Sequence, residues 1–316
     1  MTAPVIEAAG LRIAFGPVEV VRGVDLAIGR GEAVGLVGES GSGKSMTALG
    51  LMRLLPRGAL VTGGDIRLEG RSLLALTERA MTQVRGREIA MIFQDPLTAL
   101  NPAFTIGRQL IDAVRAHARL GRRAATDRAA ELLQMVGISA PRSRLLAYPH
   151  EFSGGMRQRV AIAMALACKP KLLIADEPTT ALDVTVQAQV VDLLGRLREE
   201  LGIAILFISH NLDLVAEICD RVVVMYAGAV AEADAVDALF SRPRHPYTRQ
   251  LLRCIPRLTD GRGEMPTIPG APPRAGIRMD GCAFAPRCDH AFDRCRTETP
   301  PLVGNGGQVA CWLAGS

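Results

Sequence analysis

The eight-residue run Gly38-Glu39-Ser40-Gly41-Ser42-Gly43-Lys44-Ser45 limits what this chain can be more than any other part of it. It follows Ala33 to Val37, an apolar stretch long enough for one buried strand. Its three glycines let the backbone turn tightly, so that its N–H groups point inward. Those amides, with the positive end of a helix beginning near Lys44, make a cradle for an anion. In such a cradle Lys44 reaches the β- and γ-phosphates of a nucleotide, and the Ser45 hydroxyl ligates Mg²⁺. Of 37 basic residues only Lys44, Lys169 and Lys171 are lysines, so a compact point charge placed here stands out from an arginine background. At average composition the pattern G-x-x-x-x-G-K-S/T arises by chance in roughly one chain of this length per hundred, so a ligand-free glycine turn is the weaker reading.

A second apolar run, Leu172 to Ala175, ends in Asp176-Glu177. At a strand tip facing a phosphate cradle, Asp176 suits Mg²⁺, and Glu177 suits orienting or deprotonating an attacking water. An acidic helix start capped by Pro178 is the structural alternative. His210 follows a third apolar run, Ala204 to Ile208, and is placed to contact a γ-phosphate; its weight comes from its order after the acids. Gln94, after Met91-Ile92-Phe93, has an amide able to sense metal or water and carries little information alone. Phe15 closes the predicted strand Leu11 to Phe15, where stacking on a base and packing in the core compete. In Phe152-Ser153-Gly154-Gly155-Met156-Arg157-Gln158-Arg159, Ser153 caps a helix whose first amides, at Gly154 and Gly155, form a second anion-binding device.

In this order the motifs resemble those of the nucleotide-binding subunits of ATP-binding-cassette (ABC) transporters, over most of the first 240 residues. The resemblance implies an α/β fold: a P-loop core with a mainly parallel sheet, an antiparallel β-subdomain, an inserted helical subdomain and an irregular C-terminal extension. It implies ATP bound by residues 38–45 and Met46, with Phe15 on the adenine. Ser45, Gln94 and Asp176 surround Mg²⁺, and Glu177, His210 and Gln94 serve hydrolysis. Ser153, Gly154, Gly155 and Gln158 close over ATP held by a second, head-to-tail ATP-binding subunit, and Asp183, in Thr180-Ala181-Leu182-Asp183, links the two sites. The family usually opens this signature with leucine where Phe152 stands here; both are apolar.

The domains expected are an ATPase domain over 1–240, with its helical part near 95–157, and an extension over 241–316. Val5 to Phe15 and Ile66 to Glu69, joined through a Gly63-Gly64-Asp65 turn, predict antiparallel strands. Ile106 to Leu120 and Ala124 to Val136 predict helices, and Arg221 to Met225 one more strand. Ala99-Leu100-Asn101-Pro102 matches the groove that receives a permease's coupling helix in the family. No stretch of 18 uncharged apolar residues exists, and the N-terminus lacks a basic region followed by an apolar one, so the chain reads as cytosolic. From Ser241 onward 11 arginines face 6 acids, scattered among prolines without interleaved aromatics, which argues against nucleic acid.

The extension carries 10 of the 19 prolines and 5 of the 7 cysteines, so loops and short helices are expected. Cys282, Cys288, Cys295 and Cys311 suggest a metal before disulfides, with iron–sulfur, zinc and free thiols all open on spacing alone. His245-Pro246-Tyr247-Thr248, Ile255-Pro256-Arg257-Leu258, Ile268-Pro269-Gly270 and Cys282-x-Phe284-x-Pro286-Arg287-Cys288 resemble the C-terminal region of dipeptide and oligopeptide importer ATPases. In some members four cysteines bind a 4Fe–4S cluster, which is then a structural staple; Trp312 is placed to shield Cys311. The resemblance implies an ATPase powering peptide import through two transmembrane permease subunits, served by an external solute-binding protein, peripheral to the cytoplasmic face of the inner membrane. An ABC protein acting on DNA or ribosomes would carry fused cassettes or a coiled-coil insert, absent here. A regulatory module whose cysteines sense oxidants is the remaining alternative.

Overall fold

Continuous apolar runs and their glycine breaks decide where the strands lie. The computed structural model describes residues 3–95, 99–180, 182–255, 267–273 and 280–315. Its first strands are β1 (Ile6–Phe15), β2 (Val18–Ile28), β3 (Ala33–Val37), β4 (Ala59–Leu68), β5 (Arg71–Ser72) and β6 (Ile89–Ile92). These are followed by β7 (Leu172–Asp176), β8 (Ala204–Ile208), β9 (Arg221–Tyr226), β10 (Ala229–Ala235) and β11 (Gln308–Val309). The chain divides into two units. One takes Met1–Val5, Ile28–Glu32 and Ala75–Phe207; the other takes Ile6–Ala27, Ala33–Leu74 and Ile208–Ser316.

The unit that carries the phosphate loop contains an antiparallel sheet in the order β2-β1-β4-β5. β1 pairs β4 from Ile6 opposite Leu68 to Phe15 opposite Ala59, with the register broken between Ala9 and Ile13. At that break Gly64 has φ +81°, and a Cβ there would lie 2.4 Å from the Gly10 carbonyl oxygen. Gly63-Gly64-Asp65, expected as a turn, therefore lies inside β4, facing an irregularity of β1. Glycine supplies positive φ to a bulge as readily as to a turn, which explains the misreading. β2 was not anticipated, because Arg22-Gly23 interrupts its alternation.

The same unit sets β11, β10, β9 and β3 side by side. β3 runs parallel to β9, from Val34 opposite Arg221 to Val37 opposite Val224, and all five β3 residues are buried. A strand covered on both faces reads as an unbroken apolar run. Gly35 is required by close approach: a Cβ there would meet the Val215 side chain at 2.5 Å, on the helix Leu212–Ile218. β11 adds an antiparallel edge to β10, Val309 opposite Glu232 and Gln308 opposite Ala233. Beyond Ser241 the described residues form, besides β11, the short helices Pro246–Arg253 and Asp293–Thr297, two single 3-10 turns and irregular segments, mostly the loops and short helices that composition predicts. The extension is knitted to β9 by an aromatic trio: ring centroids lie 4.6 Å apart for Tyr226–Tyr247, 5.2 Å for Tyr226–Phe284 and 5.4 Å for Tyr247–Phe284. His245 starts the helix by accepting the Tyr247 N–H at Nδ1, 3.0 Å away, and burial holds its pKa down at about 4.

In the other unit the strands run β8-β7-β6, with β6 and β7 parallel from Ile89 opposite Leu172 to Ile92 opposite Ala175. The helix Val184–Leu201 buries Val190, Val191, Leu194 and Leu197 on one face and ends at Gly202, whose φ of +64° suits a left-handed cap. The helix Ile106–His117 buries Ile106, Leu110 and Val114 and stops at Ala118, three residues short of the expected end, where the backbone turns extended. The next helix runs Arg122–Met135. Among the described residues no helix is long and apolar enough to cross a membrane.

Phe207 on β8 is fully buried. Phe207→Ala is expected to cost about 3–5 kcal/mol of unfolding free energy, read from the shift in urea midpoint at unchanged slope.

Candidate functional site

The phosphate loop takes its shape from three backbone positions that L side chains avoid: Gly38, Gly41 and Gly43 have φ of +146°, +78° and +101°. A Cβ on Gly38 would lie 2.2 Å from the Met225 carbonyl oxygen, and one on Gly43 would lie 2.9 Å from that of Val20. The loop thus sits directly on β2 and on the end of β9. Its far end is fastened by Gly228 N–H donating to the Ser42 carbonyl, 2.9 Å. Lys44 opens the helix Lys44–Leu51 and is only 6% exposed. Its ammonium donates to the carbonyls of Gly38 at 2.8 Å and Glu39 at 3.0 Å, with Ser42 Oγ at 3.5 Å. Ser40, Gly41 and Ser45 are exposed, Ser42 is buried and Met46 half-buried. The loop offers an anion exposed backbone around a buried ammonium whose partners include two backbone carbonyls and a hydroxyl.

Phe15 stands half-buried at the end of β1, its Cδ1 3.9 Å from the Cβ position of Gly58. Past β8, Ser209 donates its N–H to the Leu36 carbonyl at 3.4 Å, which ties this turn to β3, and His210 is exposed.

In the other unit, β7 delivers Asp176 buried at its tip, and Glu177 follows with φ +47°. A non-glycine residue held left-handed at a strand end is a strained arrangement typical of functional positions. The Glu177 carboxylate is oriented twice: Oε2 accepts from Gln94 Nε2 at 3.0 Å and from Thr180 Oγ1 at 2.8 Å. Gln94 and Glu177, 83 residues apart, are thus brought together by a hydrogen bond. Thr180 belongs to the run that follows the acids, and nothing in its spacing signals contact with Glu177.

The signature segment lies on the same unit. Ser153 caps the helix Gly154–Ala165 by accepting the Met156 N–H at 3.3 Å. Gly155 leaves room for the helix that Asp183 caps: a Cβ would meet Val186 at 2.6 Å, and Asp183 Oδ1 accepts the Val186 N–H at 3.0 Å. Gln158 is buried, and its Nε2 has no hydrogen-bond partner among the described residues. Phe152 is buried, as an apolar replacement for leucine should be. Leu100 is buried and Asn101 and Pro102 are exposed. Ala181 and Pro256-Arg257-Leu258 lie outside the described residues.

Cys282, Cys288, Cys295 and Cys311 are all unbridged thiols and line one small cavity with Trp312. Burial pushes the thiols of Cys282, Cys288 and Cys311 up, and backbone N–H groups directed at these sulfurs oppose the shift. Among the described residues, no group of three or more His, Cys, Asp or Glu side chains is arranged to hold a metal ion.

A family model described as "ABC transporter" matches residues 21–180, and one described as "Oligopeptide/dipeptide transporter, C-terminal region" matches residues 231–295. The chain is 51% identical over 305 residues to a probable peptide ABC transporter ATP-binding protein, y4tR, of Sinorhizobium fredii, covering 94% of this chain and 91% of that one. It is also 51% identical over 316 residues to a putative peptide import ATP-binding protein, BMEII0863, of Brucella melitensis, covering 95% and 94%. Among solved structures, the ATP-binding cassette MJ0796 in a dimeric post-hydrolysis state with ADP and Pi aligns with TM-score 0.65 at 26% identity, covering 73% of this chain and 98% of that one. The cbiO1 protein of Clostridium perfringens, part of the ABC transporter complex cbiONQ, aligns with TM-score 0.68 at 26% identity, covering 76% and 92%.

Because residue 38 has no room for a side chain, Gly38→Ala should displace the loop. Titration with MgATP is expected to show at least about tenfold weaker binding than wild type, since an ångström of misplacement at such a site costs about two decades.

Proposed function

We propose that this chain, which belongs to the ABC transporter family, hydrolyses ATP to drive the import of peptides through separate membrane subunits. The observation that carries the reaction is Glu177: a left-handed carboxylate at the tip of β7, aimed by Gln94 and Thr180. The peptide reading is supported by the names of relatives about half identical over nearly the whole chain and by the C-terminal region, which matches that of oligopeptide/dipeptide transporters.

When ATP enters, Lys44 exchanges the carbonyls of Gly38 and Glu39 for β- and γ-phosphate oxygens, while loop amides from Gly38 to Met46 receive the rest of the polyphosphate. Phe15 stacks on adenine. Ser45, Gln94 and Asp176 would hold Mg²⁺, which would supply positive charge against the charge developing on the phosphate. Glu177 orients the attacking water and accepts its proton as the bond to the γ-phosphorus forms, and ADP leaves with the bridging oxygen. His210 donates a hydrogen bond to the γ-phosphate.

The amides of Gly154 and Gly155 are an anion-binding device additional to the phosphate loop, and by resemblance to the family the working unit is a head-to-tail pair of ATP-binding subunits. Ser153, Gly154, Gly155 and Gln158 face the ATP of the partner, and Asp183 couples the two sites. Two permease subunits dock by the region of Asn101 and Pro102, an external binding protein delivers the solute, and no nucleic acid takes part. The chain works at the cytoplasmic face of the inner membrane. Residues 1–240 form the ATPase domain, with the helical part near 95–157, and 241–316 form the extension.

For the thiols we propose a 4Fe–4S cluster held by Cys282, Cys288, Cys295 and Cys311, with zinc as the alternative. Four sulfurs line one cavity, with backbone N–H groups directed at three of them; to hold the cluster they would have to close up, since among the described residues they are not arranged around a metal ion. Its contribution is structural, since ATP hydrolysis moves no electrons.

Glu177→Gln should bind MgATP like wild type yet turn over about 100-fold more slowly or worse, and accumulate as a closed pair on size-exclusion chromatography with ATP. Ordinary turnover would remove Glu177 as the base. Protein purified without oxygen should yield about four irons and four acid-labile sulfides per chain; zinc alone or no metal overturns the cluster and leaves the ATPase reading in place.

A further inference from the structure

The phosphate loop is held from outside by the C-terminal extension. Arg287, on the turn Ala285–Arg287, grips Glu39 in a bidentate pair: Nη1 to Oε2 at 2.6 Å and Nη2 to Oε1 at 3.0 Å. Its other three N–H groups are also committed, Nε to the Pro269 carbonyl at 2.8 Å, Nη1 to the Tyr226 hydroxyl at 3.2 Å and Nη2 to the Ile268 carbonyl at 3.2 Å. All five donors of the guanidinium therefore have a partner, and its side chain is 4% exposed. A second tie runs to the same residue: the Glu39 N–H donates to the Tyr247 hydroxyl at 2.8 Å. These contacts span 248 and 208 residues of sequence, and both end on the second residue of the loop.

Without nucleotide, Lys44 supports this limb from inside through the carbonyls of Gly38 and Glu39. Phosphate takes those donors away. The limb then loses its inner support and keeps its outer ties and the Ser42 N–H bond to the Glu39 carbonyl, 3.2 Å, so Arg287 and Tyr247 matter most when nucleotide is bound. Arg287 also neutralises a carboxylate beside the place where the polyphosphate lies; an unpaired Glu39 would repel it.

We propose that Arg287 is a positioning residue for ATP, fixing Glu39 and the entry limb of the phosphate loop from the C-terminal extension. The proposal rests on the ATP-binding reading above. It deepens that reading by making the extension part of the nucleotide site, with the thiol cavity one residue away at Cys288.

The test is a titration of the full-length chain with MgATP, alongside ATPase kinetics and a melting curve. Arg287→Met should raise the dissociation constant about tenfold with kcat changed about twofold or less, a split that a purely structural loss would not give. Glu39→Gln should weaken binding about threefold. The double variant should bind no more weakly than Arg287→Met, because both remove one contact. Arg287→Lys should not restore binding, since an ammonium cannot reproduce the fork. Should Arg287→Met fail to fold, Glu39→Gln alone decides. Wild-type affinity in the folded variants, or losses that multiply in the double variant, overturns the proposal. Wild type that bound no MgATP would overturn the ATP reading as well.

Discussion

A buried ammonium needs acceptors, and Lys44 finds them in the backbone of its own loop. That requirement organises the loop-bearing unit. For the carbonyls of Gly38 and Glu39 to turn toward Nζ, the chain must pass through left-handed conformations at Gly38, Gly41 and Gly43. With those conformations comes contact with β2 and β9 too close for any side chain. β3 must then be buried on both faces to launch the loop from a fixed point, and the helix after it must start without a side-chain cap. The loop's neighbours leave no room for a side chain at Gly38 or Gly43.

The reading from sequence succeeded where local pattern and physics coincide. β3, β7 and β8 are unbroken apolar runs because both faces are covered, and the helix of Gly154–Ala165 begins where Ser153 said it should. Gln94 carries little information alone, and no spacing signals its hydrogen bond to Glu177. Failures came where one residue type serves two ends. Gly63-Gly64 serves a strand irregularity rather than a turn, and β2 hides behind Arg22-Gly23. Tyr247 and Arg287 were quoted only as parts of extension motifs. Their engagement of Glu39 is a tertiary fact, for which no spacing or periodicity is a signal.

The extension contrasts with the rest in how it is held. Few of its described residues lie in regular elements, and they are held instead by an aromatic trio, a fully used guanidinium and a buried glutamate, Glu232, that accepts the N–H groups of Arg244 and His245 at 2.8 and 2.9 Å. Each of these reaches back to β9, β10 or the phosphate loop. A segment built so depends on its anchors rather than on its own hydrogen-bond ladder, and polar groups buried this deeply are costly to leave without partners.

β11 is two residues long, yet it covers β10 with the bonds of Val309 and Gln308, and Val303 in turn pairs with Val309. Bare strand edges recruit the edges of neighbouring molecules. Gln308 and Val309 therefore act as a selvedge, and a variant unable to form β11 would present β10 as a template for intermolecular stacking, at a cost in solubility.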